Sequence, residues 1–164
     1  MTQITFKKNP VHTSGNLPTI GKKAPDFTLT NTSLEDVHLN QFQKKKKLLN
    51  IYISIDTGVC ATSTQKFHSL CNERDDLVVL NIAMDLPFAF TRFCEAHHLK
   101  NTQTLSCFRS SFAQDYGVKI VDGPLKGLCA RCVIVLDEDN HVLYTELVSE
   151  ISHEPDYEKA LEAL

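Results

Sequence analysis

Apolar positions fall into two kinds of run along this chain, and their alternation sets the expected architecture. "KLLNIYISI" (47–55) and "LVVLNIAM" (77–84) are apolar at nearly every position and β-rich, the pattern of strands buried on both faces. Between them, "CATSTQKFHSLCNER" places Phe67, Leu70 and Cys71 at helical spacing. "LPFAFTRFCEAHH" opens with a proline suited to a helix's first turn. A weaker third strand, "TQTLSCF", and a short helix, "SSFAQDYG", closed by Gly117, come next. "LCARCVIVL" and "HVLYTELV" predict two strands joined across the turn "DEDN", and "EPDYEKALEAL" predicts a closing helix with Pro155 near its start.

The first 40 residues follow a lighter pattern. "ITFKKNPVHT" alternates weakly around Asn9-Pro10 and predicts a small hairpin, and 27–30 and "DVHLNQF" predict two short strands. The four lysines at 44–47 read as a solvated strand entrance. Together these elements define an α/β protein: a central mixed β-sheet flanked by helices, with an N-terminal β-hairpin. No repeat or linker interrupts it, so residues 1–164 are expected to form a single domain.

Charge narrows the function. A net charge of −3 and a pI near 6.1 give no bulk attraction to nucleic acid or to an anionic membrane. No apolar run approaches the roughly 20 residues of a membrane span. The start, "MTQITFKKNPVHTSGN", lacks the apolar core of a secretory signal, so a cytoplasmic protein is expected.

Six cysteines change the picture more. An even number suggests structural bridges in a small secreted protein, but a chain of this length without an export signal is expected to keep most thiols reduced. Cys60 stands apart because it follows a buried strand at the first turn of a helix. There it meets unpaired backbone N–H groups and the positive end of the helix dipole, which favour thiolate over thiol. Thr57, three residues upstream, offers a hydroxyl to the sulfur or to a substrate oxygen.

The other thiols read differently. Cys71 lies on the apolar stripe and Cys107 at a strand end, both as core residues. Cys94 falls either with Phe90 on the inner face of its helix or beside Arg92 and Glu95, and alone it reads as core or neutral. The "CARC" motif, Cys129 to Cys132, is both a zinc half-site and a redox signature. It opens a strand, where residues three apart point to opposite faces about 10 Å from each other, beyond the roughly 7 Å reach of a disulfide. No metal site is expected from it. Arg131, on a strand that otherwise reads buried, needs an anionic partner, and a carboxylate and a thiolate serve equally well.

"SIDTGVC", "NIAMDLPFAFTRFC", "YGVKIVDGPLKGLCAR" and "ISHEPDYEKAL" together resemble the bacterial thiol peroxidases, atypical 2-Cys members of the peroxiredoxins. The similarity runs nearly end to end. It implies a thioredoxin-like fold with an added N-terminal hairpin, usually as a homodimer. Carried over, it makes Cys60 the peroxidatic cysteine, Thr57 the hydroxyl that positions sulfur and peroxide, and Arg131 the guanidinium that holds both. Cys94 matches the resolving cysteine, which condenses with the Cys60 sulfenic acid to form an intramolecular disulfide. The resemblance further implies hydrogen peroxide and alkyl hydroperoxides as substrates, thioredoxin as reductant, and no cofactor. One residue departs from the pattern: Ile53 stands where the family's active-site motif begins with proline. The alternative this raises is a redox-sensing binding protein with weak turnover.

Overall fold

The computed structural model describes residues 1–99 and 102–164. In chain order its elements begin with β1 (Gln3–Phe6), β2 (Asn9–His12), β3 (Thr28–Thr30) and β4 (Asp36–His38), then β5 (Lys46–Ile51) and α1 (Gly58–Cys71). β6 (Leu77–Ala83), α2 (Pro87–His97), β7 (Gln103–Ser106) and α3 (Phe112–Asp115) follow, and β8 (Cys132–Leu136), β9 (Val142–Leu147) and α4 (Tyr157–Glu162) complete the chain. Seven strands make one mixed sheet in the order β4-β3-β7-β6-β5-β8-β9. The central β5, β6 and β7 run parallel, as strands joined through crossover helices do, and antiparallel pairs flank them on both sides.

Alternation along the central strands builds two cores. Leu49, Ile51, Leu80, Ile82 and Ile134 pack on one face with Phe27, Phe112 and Tyr116. Leu48, Val133 and Val135 pack on the other, under Phe67 and Cys71 of α1 and Ala160 of α4. The two helices meet through the edge-on rings of Phe67 and Tyr157, 4.9 Å apart. Leu70, expected on the buried stripe of α1, is half exposed. The inner face runs instead through Cys60, Ser63, Thr64, Phe67 and Cys71.

Three further expectations are corrected. The first long strand ends at Ile51 rather than Ile55. Tyr52, Ile53 and Ile55 remain buried; Tyr52 N still donates to the Ile82 carbonyl of β6 at 3.1 Å, and beyond it Asp85 pins the segment, accepting from Ser54 Oγ at 2.7 Å and Ile55 N at 2.9 Å. The hairpin turns at Lys7-Lys8, both with positive φ (50° and 67°), so Pro10 lies within β2 opposite Thr5. Lys47 is not solvated: it is buried, and its ammonium donates to the carbonyls of Asp137 (3.1 Å) and Glu138 (3.0 Å). No helix among the described residues is long and apolar enough to cross a membrane.

Candidate active site

The carboxyl end of β5 delivers the chain, through the Asp85-pinned segment, to the first turn of α1. Cys60 sits there with no exposed surface, packed among Tyr52, Ile53, Phe90 and Phe93. Ile53 is thus a member of the same buried apolar cluster as the sulfur. Thr57 is the N-cap of α1, but its hydroxyl does not cap the helix; it donates to the Ser54 carbonyl at 3.1 Å. With its proton committed there, the Thr57 oxygen faces other groups as an acceptor. Behind the sulfur, the Thr64 hydroxyl lies 3.0 Å from the Cys60 carbonyl and 3.1 Å from the buried Tyr52 phenol. Burial raises the Tyr52 pKa well above its ordinary value, so the phenol stays neutral.

Arg131 supplies the site's positive charge. It lies one residue before β8, is 2% exposed, and its Nε donates to the Ile151 carbonyl at 2.9 Å. Its Nη2 reaches the Cys60 sulfur at 3.3 Å. The partner that this buried guanidinium finds is therefore a sulfur rather than a carboxylate. Nη1, equally buried, has no hydrogen-bond partner among the described residues. An unpaired buried guanidinium nitrogen is costly to leave unmet, so it marks a place for a ligand oxygen.

Cys94 lies on α2, half-buried, where burial raises its pKa and the Thr104 hydroxyl opposes the shift. Cys60 and Cys94 are both free thiols with different polar neighbours, Arg131 for one and Thr104 for the other. The remaining four are core residues. Burial raises the pKa of Cys71. Cys132 is pushed up by burial and then by Glu146. Cys129 is pushed up by its hydrogen bond with Cys107, 3.6 Å away, and then by burial. Cys129 thus faces Cys107, not its neighbour in "CARC". Among the described residues no group of three or more His, Cys, Asp or Glu side chains is placed to hold a metal ion.

Three contributors carried no signal in the sequence. Asp85 anchors the approach to Cys60, and Arg92 of α2 pairs with Asp56 beside it. The third is the Ile151 carbonyl, a backbone group that side-chain chemistry cannot reveal.

Residues 19–161 match the family model described as Redoxin. The chain is 49% identical over 164 residues to the thiol peroxidase of Corynebacterium glutamicum, covering all of this chain and 99% of that one. A peroxiredoxin-like protein from Aquifex aeolicus superposes with a TM-score of 0.93 at 33% identity, covering 100% of this chain and 98% of the other. A thiol peroxidase from Chromobacterium violaceum gives 0.88 at 25% identity over 98% and 93% of the two chains. The chain belongs to the redoxin family and, within its peroxiredoxins, to the thiol peroxidase enzymes, and its fold is thioredoxin-like.

Proposed function

We propose that the protein reduces hydrogen peroxide and alkyl hydroperoxides at Cys60, with Cys94 as the resolving thiol. The observation that carries this reading is the Arg131 guanidinium, with Nη2 on the Cys60 sulfur at 3.3 Å and Nη1 buried without a partner among the described residues. The deprotonated sulfur attacks the terminal oxygen of the hydroperoxide in line. A sulfur–oxygen bond forms, the O–O bond breaks, and the leaving oxygen takes a proton to become water or an alcohol. Nη1 donates to the peroxide oxygens as charge spreads over them, and the Thr57 hydroxyl oxygen accepts from the peroxide O–H.

Cys60 leaves this step as a sulfenic acid. The Cys94 thiol condenses with it, forming the intramolecular disulfide and releasing water. Because the two thiols lie on separate helices with separate partners, at least one helical turn unwinds for the bond to form. A dithiol reductant of the thioredoxin type then restores both thiols by exchange. No metal or organic cofactor enters. The six free thiols suit a reducing compartment, and we place the protein in the cytoplasm. Leu86 and Phe88, 51% and 66% exposed at the start of α2, offer apolar surface for a second copy of the chain.

Non-reducing peptide mass spectrometry after one equivalent of cumene hydroperoxide tests the reading. The expected product is a Cys60–Cys94 link, lost on adding thioredoxin with its reductase and NADPH. Oxidation elsewhere with Cys60 untouched would overturn it.

A further inference from the structure

We propose that Glu150 is a positioning residue for this chemistry: it clamps the 149–152 loop onto the N-terminal hairpin, and that loop aims Arg131 at Cys60. The inference rests on the peroxidase reading for its consequence, but not for its geometry.

Four donors converge on the Glu150 carboxylate. They are Thr5 Oγ1 (2.7 Å), the backbone N–H groups of Lys7 and Lys8 (3.1 Å each) and that of Ser152 (3.1 Å). Lys7 and Lys8 form a two-residue turn with both φ values positive, a conformation that normally calls for glycine or asparagine. Here the carboxylate binds both turn N–H groups, so an otherwise strained turn is held by a residue some 140 positions away. The Thr5 hydroxyl first, and then the Lys8 N–H, lower the carboxyl pKa to about 2, which keeps it ionised at any working pH.

Backbone bonds flank the clamp on both sides. Thr5 N donates to the Ser149 carbonyl at 2.7 Å and Ile151 N to the Thr5 carbonyl at 2.9 Å. The Ile151 side chain is buried with Ile4 and Val11 in the cluster that also holds Cys60. Its carbonyl receives Arg131 Nε, while Val148 N donates to the Arg131 carbonyl at 3.0 Å. The residues on either side of Glu150 thus hold Arg131 by both backbone and side chain. A guanidinium is planar, so fixing Nε also fixes where Nη1 and Nη2 point. On this account the hairpin is the abutment for the catalytic arginine, and Glu150 joins the two.

The test compares Glu150→Ala and Glu150→Gln in the wild-type and Arg131→Lys backgrounds. Two rates are read for Cys60 by peptide mass spectrometry: alkylation by iodoacetamide and oxidation by cumene hydroperoxide, both at neutral pH. Glu150→Ala is expected to slow both roughly 10-fold or more, since small misplacements of a catalytic group are costly. Glu150→Gln, which keeps one acceptor oxygen, should fall between. In the Arg131→Lys background both substitutions should cost Cys60 markedly less, because lysine has no Nε to receive its position from Ile151 and keeps only the backbone bond from Val148. Should Glu150→Ala fail to fold, Thr5→Val removes only the hydroxyl's contacts, to Glu150 and to the Ser149 carbonyl, and is expected to show a smaller loss with the same dependence on Arg131. Wild-type rates in Glu150→Ala, or equal losses in both backgrounds, would overturn the clamp. If alkylation follows this pattern while peroxide leaves even wild-type Cys60 untouched, the clamp stands and the peroxidase reading falls.

Discussion

The phenol of Tyr52 and the hydroxyl of Thr64 are hydrogen-bonded at 3.1 Å in full burial, and Thr64 reaches on to the carbonyl of Cys60. This chain ties the turn that carries the reactive sulfur to the segment leaving β5. It would oppose the unwinding that the proposed Cys60–Cys94 bond calls for. Tyr52→Phe keeps the ring and removes the tie, at a cost of about 1 kcal/mol in stability. Disulfide formation after a peroxide pulse should then become several-fold faster, read by quenched-flow mass spectrometry. A slower or unchanged rate would argue against unwinding of α1 as the gate.

Arg131→Ala removes both the contact to sulfur and the unpaired donor. Loss of one preorganised donor to a developing anion typically costs about 10²–10³ in rate. The second-order rate constant for Cys60 oxidation should fall by at least that range in stopped-flow measurements under single turnover. A change of less than about threefold would mean that Arg131 is a structural ion and nothing more.

Glu150 also predicts an acid response. Its carboxyl sits at about 2 in the native protein against an ordinary 4.5, so the unfolded chain binds more protons between those values. A group shifted this way adds stability above about pH 4.5 and loses it as the pH falls toward 2. The stability difference between wild type and Glu150→Gln, from urea unfolding, should therefore be constant from pH 7 to 5 and shrink steadily below. A difference that persists undiminished at pH 2 would contradict the assignment.

Much of this was legible in the chain, because the strongest signals were local. The unbroken apolar runs around Leu48 and Leu80 marked the central strands, and the change to helical spacing after Cys60 marked α1. What escaped notice came from a distance. The stretch from Tyr52 to Ile55 reads as strand because it is largely apolar, yet past the one bond from Tyr52 to Ile82 the carboxylate of Asp85, some thirty residues on, holds Ser54 and Ile55 instead of a sheet partner. Lys47 looked solvated because lysines usually are, and only the turn between β8 and β9 gives its ammonium two carbonyls. The inner face of α1 was blurred by Ser63 and Thr64, polar residues whose partners on β5 and in the segment after it no local pattern contains. At the site, Cys60 and Arg131 were evident as chemistry, but their meeting depends on a carbonyl at position 151.

Of six thiols, five lie almost wholly within the packed interior, and Cys94 alone is partly exposed to solvent. A sulfenic acid is an indiscriminate electrophile toward any thiol that can travel to it. Rigid walls around Cys71, Cys107, Cys129 and Cys132 deny them that journey, whereas a helix near the surface can loosen. On the proposed cycle, pairing fidelity is a matter of traffic: the disulfide is selected by which sulfur is free to move.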